Sequence, residues 1–389
     1  VGSSLKKRVL RGFFLYMKNF YFKKFHIYFV TKKMKGANKL KYFKNKDELL
    51  FYRTPAAFTK HSPLEVLKYA IGANLYMPGT QNNIFKKLIH NDFREIGAIT
   101  LCLEDSIQED EVAEAENNIL KILNDLFFEQ SAHPKIAEDL PLIFIRVRNV
   151  EQFYKFSKRL ERTHLNILAG FCFPKFDSEN GNDYFSIMHG LKEKHHEILY
   201  GMPILEDRKL MSLDTRVQEL SMIKEILLDH KDEILNIRVG GTDFSSVFGL
   251  RRSVSYSIYD IHPVADCLTT ILNEFLPYDF VISGPVWEYF SNNPDSTEIY
   301  GLKKELRLDL ENGFFGKTII HPSQINVVNQ EYIVNYHDYR DAKDVLSREG
   351  GVSKGNHRMN EAAPHHAWAK KIIARSKVFG VLDENCKIA

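Results

Sequence analysis

The chain has 389 residues, 44% of them hydrophobic, and a formal net charge of only +3. That is enough apolar material for a large core, such as one barrel of roughly 250 residues with extensions at either end. The four cysteines (Cys102, Cys172, Cys267, Cys386) are scattered without paired spacing, which excludes a disulfide framework or a zinc site and fits the reduced thiols of a cytoplasmic protein.

The charge is unevenly spread. Residues 1–50 carry 14 Lys and Arg against Asp47 and Glu48, while the remainder is acidic by about nine charges. A basic arm on a mildly acidic body is the expected organisation. The arm, Lys6 to Lys46, interleaves lysine with Phe13, Phe14, Tyr16, Phe20, Tyr21 and Phe22. Nucleic-acid binding rests on this arm alone and is not expected, since an exposed or partner-packed extension, or sequence upstream of a natural start at Met34, explains it as well. Lysines interrupt every apolar run there, so no bilayer span is expected, and no small-residue cleavage site marks a signal peptide.

Beyond the arm, strand-like and helix-like segments alternate. Ala73–Met77 reads as a strand and Asn83–Arg94 as a helix. Ala98–Leu103 is followed by Glu111–Phe128, Leu142–Val147 by Gln152–Glu161, and Gly170–Pro174 by Tyr184–Lys194. Ile198–Leu205 leads to Leu210–Leu228, Ile234–Val239 to Val264–Phe275, Phe280–Ser283 to Gly301–Leu310, and Thr318–Ile320 to Gln324–Val334. Eight strands, each with a helix after it, predict an α/β protein: a (β/α)8 TIM barrel over residues 61–335, with a basic N-terminal extension (1–60) and a helical C-terminal extension (336–389). An open doubly wound sheet is the alternative, but no G-x-G-x-x-G opens a helix here. In the C-terminal extension, Gly350, Gly351 and Gly355 precede a last helix, Pro364–Val378, which would suit either a hinged lid or a linker.

Catalytic groups of such barrels sit where strands end. The predicted strand ends supply Pro78-Gly79, Glu104-Asp105, Arg146 with Asn149, Pro174-Lys175, Glu206, Asp243, Ser283-Gly284 and His321-Pro322. Each has an ordinary explanation alone. Glu104 and Asp105 would cap a helix, Asp243 would be an N-cap, and Arg146 would neutralise a neighbouring carboxylate. Together they form a constellation that such explanations do not predict. Glu206 and Asp243, on successive strand ends, would converge on one divalent cation, and magnesium takes few protein carboxylates.

At these residues the chain resembles the HpcH/HpaI aldolase and citrate lyase β-subunit-like family, which includes the malyl-CoA lyases. The resemblance is carried by Leu75-Tyr76-Met77-Pro78-Gly79, Leu101-Cys102-Leu103-Glu104-Asp105-Ser106 and Arg146-Val147-Arg148-Asn149. It continues through Phe173-Pro174-Lys175, Ile204-Leu205-Glu206 and Gly240-Gly241-Thr242-Asp243-Phe244. Gly316-Lys317-Thr318-Ile319-Ile320-His321-Pro322-Ser323-Gln324-Ile325 is its strongest segment. It implies a magnesium-dependent carbon–carbon lyase or aldolase working through a metal-stabilised enolate of a 2-oxo acid or its condensation product, in a homo-oligomer. Glu206 and Asp243 would hold magnesium, Glu104 and Asp105 would organise its waters, and Arg146 would grip the oxo-acid carboxylate. Pro78, Gly79 and Lys175 would line the substrate site.

The chain departs from the family near its C-terminus. Where the family has a catalytic aspartate, the nearest match is Met359-Asn360-Glu361, so Glu361 is the expected substitute. This is similar to a divergent branch, the TIM-barrel carbon–carbon lyases of tellurite-resistance-type stress gene clusters. The second reactant stays open between an acyl-CoA and a phosphorylated compound. Arg251 and Arg252 are the candidate phosphate contacts, against a solvated basic loop; the His365-His366 pair would be a base, a phosphate contact or plain surface. A non-catalytic barrel serving as a binding or assembly subunit is the alternative function.

Overall fold

The structure, a computed structural model, describes residues 42–43, 51–93 and 95–385. The basic arm, apart from Tyr42 and Phe43, and Cys386 lie outside the described residues.

Eleven strands are described: β1 (Phe51–Arg53), β2 (Ala73–Pro78), β3 (Ala98–Cys102), β4 (Leu142–Arg146), β5 (Leu168–Phe173), β6 (Tyr200–Leu205), β7 (Arg238–Val239), β8 (Lys317–Ile319), β9 (Val352–Lys354), β10 (Met359–Glu361) and β11 (Val381–Leu382). Seven of them form one parallel sheet in the order β7-β6-β5-β4-β3-β2-β8. Residues 280–284 fill the remaining gap. Ser283 N donates to Ile237 O and Ile237 N to Val281 O, at 2.8 and 2.9 Å. On the other side Phe315 N donates to Ile282 O and Gly284 N to Gly316 O, at 2.7 and 2.9 Å. Parallel bridges Ile237–Ile282 and Gly284–Lys317 complete the ring. The eight predicted strands are therefore present, one of them too irregular to form a continuous ladder.

The strands read as unbroken apolar runs because both faces are buried. All five residues of Leu142-Ile143-Phe144-Ile145-Arg146 are buried, as a parallel sheet wrapped by helices requires. Helix Val112–Ala132 turns Ala115, Ile119, Ile122, Leu123 and Leu126 inward at three- and four-residue spacing. Helix Thr297–Asn312 begins where the Ser296 side chain accepts from Ile299 N and ends at Gly313, whose φ is +102°. Some helix limits differ from the predicted ones. Asn83–Arg94 contains only Ile84–Ile89 as helix, because Asn91 takes a positive φ. Leu210–Leu228 becomes a 3-10 turn at Arg208–Leu210 followed by Arg216–Asp229.

The last described helix does not lie over the C-terminal strand ends. Helix His366–Phe379 packs on helix Leu64–Ala70, which leads into β2. Phe379 stacks on Tyr42 with centroids 4.7 Å apart, and it is the nearest side chain to Gly72, just before β2. The helix thus packs at the N-terminal face of the barrel, and β11 pairs with β1. Among the described residues, no helix is long and apolar enough to cross a membrane.

Beneath the segment 280–284, Lys317 is fully buried with two carboxylates. Its Nζ lies 2.8 Å from Glu305 and 2.7 Å from Asp309, and Tyr259 donates to Asp309 at 2.6 Å. Burial, partly offset by Lys317, pushes the Asp309 carboxyl up to about 6. Arg252 completes the network through Glu288 at 2.6 Å and through Glu305. Removing one member of a buried ionic cluster strands the others without compensation. Lys317→Met is expected to lower unfolding free energy by about 3–5 kcal/mol, measured by urea denaturation; an unchanged midpoint would remove this network from the closure of the barrel.

Candidate active site

A pocket of about 400 Å³ opens at the C-terminal ends of the strands, lined by residues that include Tyr76, Asp105, Arg146, Glu206, Arg238 and Asp243. It gathers residues from seven segments of the sequence. Pro78 and Ser106 also line it.

Glu206 immediately follows β6 and is buried; Asp243 sits in the short helix Gly241–Val247 that follows β7. Gly240 brings the two together. A Cβ there would stand 2.4 Å from the Glu206 Cβ, 2.7 Å from Glu206 Oε2 and 3.0 Å from Asp243 Oδ2. Any side chain here would have to push the two carboxylates apart, because the space it would need is the space they share. Asp243 does not cap its helix; Gly240 holds the N-cap position.

Lys175 follows β5 with φ +46°, a left-handed conformation that a lysine adopts only under constraint. That turn points its amide at Glu206 Oε1 (2.9 Å) while its ammonium reaches Glu104 Oε1 (2.6 Å). The same Nζ stands 3.9 Å from Asp105 and 4.0 Å from Glu206. Arg146, at the end of β4, lies 2.9 Å from Glu104 and 3.3 Å from Asp105 through Nη1, and its Nε donates to Cys102 Sγ at 3.1 Å. Its Nη2 has no protein acceptor among the described residues. Four carboxylates thus meet Arg146 and Lys175 at the mouth, with Arg238 a third cation in the pocket lining, an excess of one negative charge.

That excess shows in the proton affinities. The Glu206 carboxyl is pushed up to about 8, first by burial and then by Asp243 and Glu104. Asp243 and Glu104 are also raised, burial again being the main cause. Crowded carboxylates that would rather be protonated are what a divalent cation relieves, and oxygen-only donors with room for water match magnesium. The residues present fit that ion, with Glu206 and Asp243 as its protein ligands.

The remaining predicted site residues are placed elsewhere. Gly79 is packed beneath helix Val112–Ala132, against Ala115 and Ile119. Arg252 is buried in its ion pairs with Glu288 and Glu305 and lies over Trp287, so each of its three nitrogens already donates within the protein and its charge is paired. Arg251 is exposed and outside the pocket lining. Glu361 lies in the β9–β10 hairpin, where its amide donates to His365 Nδ1 at 3.0 Å; neither it nor His365 lines the pocket.

Arg238 is a pocket residue that strand-end reading passes over. It lies within β7, two residues short of Gly240, and is 1% exposed. A charge inside the apolar run Ile234–Val239 was the available signal. Its guanidinium and that of Arg146 both lie against the ring of Tyr76, 5.5 and 5.4 Å from the centroid.

Fold and site together define a barrel with a carboxylate-rich pocket at the C-terminal ends of its strands. The chain belongs to the carbon–carbon bond lyases of the TIM-barrel fold: that family's model matches residues 65–381. Among solved structures, the protein CitE from Mycobacterium tuberculosis, in complex with magnesium, acetoacetate and coenzyme A, is 18% identical. The match covers 79% of this chain and 99% of that one with a TM-score of 0.51, and shows a shared fold. RipC from Yersinia pestis is 13% identical over 68% of this chain and 95% of its own, TM-score 0.46. The citrate lyase beta subunit from M. tuberculosis complexed with oxaloacetate and magnesium is 17% identical over 68% and 98%, TM-score 0.44. No curated protein matches the chain.

Two outcomes are expected of the carboxylate pair. An unfolded glutamate ionises near 4.5, whereas folded Glu206 keeps its proton up to about 8. Its contribution to stability is therefore full below the lower value and lost as pH rises through the upper one. Magnesium binding should release a proton and tighten as pH rises towards 8, measured by calorimetry in buffers of different ionisation enthalpy. Gly240→Ala should keep the fold and lose magnesium binding; binding unchanged in that variant would dissociate the metal from this pair.

Proposed function

We propose that this protein is a magnesium-dependent carbon–carbon lyase or aldolase acting on a 2-oxo acid or its condensation product. The observation that carries the reading is the convergence of Glu206 and Asp243 on Gly240, inside a pocket that also holds Arg146. Family membership supports the bond type, and the magnesium named in the complexes of two structural neighbours accords with the ion.

Glu206 and Asp243 would hold the magnesium ion, which when bound supplies Lewis acidity towards a carbonyl and its neighbouring carboxylate. The protein's own groups do the rest. Arg146 is fixed by Glu104, Asp105 and Cys102, so its Nη2 side is presented without rotational freedom to a substrate carboxylate. Lys175 keeps Glu104 in place and lowers the negative charge that an anionic substrate meets at the mouth. Asp105, more exposed than Glu104, is positioned to hydrogen-bond water at the pocket edge. Heterolysis of a bond next to a carbonyl leaves an electron pair on carbon, and a site rich in fixed donors lowers the cost of that charge. The cytoplasm suits a chain whose Cys102, Cys172 and Cys267 are buried free thiols.

The test is thermal unfolding with and without magnesium in the presence of glyoxylate, pyruvate or oxaloacetate. Magnesium at 100 times its dissociation constant should stabilise the protein by about 2.7 kcal/mol, with a further shift for one oxo acid only when the metal is present. Glu206→Ala and Asp243→Ala should lose both shifts. Arg146→Lys should keep the metal shift and weaken oxo-acid binding by roughly ten- to a hundredfold, since an ammonium does not replace the planar fork. Product formation from an oxo acid retained in Asp243→Ala would overturn the metal assignment. A barrel that binds magnesium but turns over no oxo acid would favour the binding-subunit reading.

A further inference from the structure

Among the described cations of this site, Arg238 is the one without a carboxylate partner. Arg146 and Lys175 each touch carboxylates. Arg238 makes two hydrogen bonds, both to hydroxyl groups: Nη1 to Ser283 at 3.3 Å, and Nη2 to Thr318. Its Nε is shut off from solvent and has no acceptor. No carboxylate pairs with it among the described residues. The layer around it holds Asn236, bonded to Ser283 at 2.6 Å, and the ring of Tyr76, a neutral π face that offsets part of the charge but brings no counter-charge.

A permanently charged guanidinium enclosed in this way is unfavourable by itself, and an arginine does not escape by losing its proton. The usual resolution is a bound counter-charge. One wall of its surroundings is the pocket, of about 400 Å³, so the missing anion has a route in. The pocket also offers Arg146 at the mouth, next to the carboxylate pair proposed for magnesium. A 2-oxo acid held there by its carboxylate would leave Arg238 facing the other end of the molecule.

We propose that Arg238 receives a second anionic group of the substrate, so that the site prefers a dicarboxylate to a monocarboxylate. This rests on the lyase reading for the chemistry at the mouth, but the receptor itself is independent of magnesium. Arg238 is on this view a specificity-determining residue. Ser283 and Thr318 accept from its fork, and both it and Arg146 lie against the ring of Tyr76.

The experiment compares two pairs of probes by calorimetry on the full chain. The first pair is succinate and acetate without metal; the second is oxaloacetate and pyruvate with magnesium. Wild type is expected to bind each dicarboxylate at least roughly tenfold tighter than its partner, the discrimination that hydrogen bonds to a charged group provide. In Arg238→Met the ratio should fall to about one while pyruvate affinity stays as in wild type. The variant's melting temperature should be unchanged or higher, because an unpaired buried charge has been removed. Arg238→Lys should retain part of the preference. A wild type without any dicarboxylate preference overturns the proposal regardless of how the variants fold. So does an Arg238→Met protein whose preference is intact. If succinate binds through Arg238 but no oxo acid binds with magnesium, the receptor stands and the lyase reading falls. If the oxo acids bind with magnesium equally well in both proteins, the reverse holds.

Discussion

Buried charge needs compensation, and the barrel handles this in two different ways at two places. Around Lys317 the account is closed: Glu305, Asp309, Arg252 and Tyr259 satisfy one another within the protein. Around Gly240 it is open. Glu206 and Asp243 repel each other and take up protons more readily than free carboxyls, while Arg238 has two hydroxyl acceptors and the ring of Tyr76 but no carboxylate. A protein gains nothing in stability from such arrangements. Their presence at one end of the barrel, and the closed network beneath it, separates the residues that hold the structure from those that await something outside it.

The same contrast explains which arginines the sequence misassigned and which it hid. Arg251-Arg252 looked like a phosphate clamp because two adjacent guanidinium groups have that chemistry. Nothing local reveals that Arg252 is taken up by Glu288 and Glu305, 36 and 53 residues further on. Arg238 looked like a strand residue because its neighbours are apolar. Its meaning comes from the absence of a partner, and an absence across the fold cannot be read from a linear string. Glu361 was chosen by its position in a motif, yet the hairpin of β9 and β10 keeps it among local contacts.

The strands and the strand-end constellation were legible for a simpler reason. A parallel barrel buries both faces of each strand, so strands appear as apolar runs of nearly constant character, and the first polar residue after a run marks where it surfaces. Glu104, Lys175 and Glu206 each follow a strand in this way. The helix limits were harder, because they depend on single backbone angles such as those of Asn91 and Gly313. Residues 280–284 were read as a strand from their sequence and do occupy a strand's place, although the ladder there is reduced to bridges.

The two ends of the barrel divide the labour. At the N-terminal end, aromatic rings of Tyr42, Phe379, Phe315 and Tyr332 pack together, and the last helix covers the strand starts. Nothing there has to move for a ligand to enter, so rigidity is free to accumulate. At the other end, precision is needed over a few ångströms: Lys175 is held in a left-handed conformation so that one residue serves both Glu206 and Glu104. That local strain is sustainable because β5 and β6, which flank it, are buried along their whole length. The strained, charge-imbalanced pocket is thus carried by strands that have no freedom of their own to relax it.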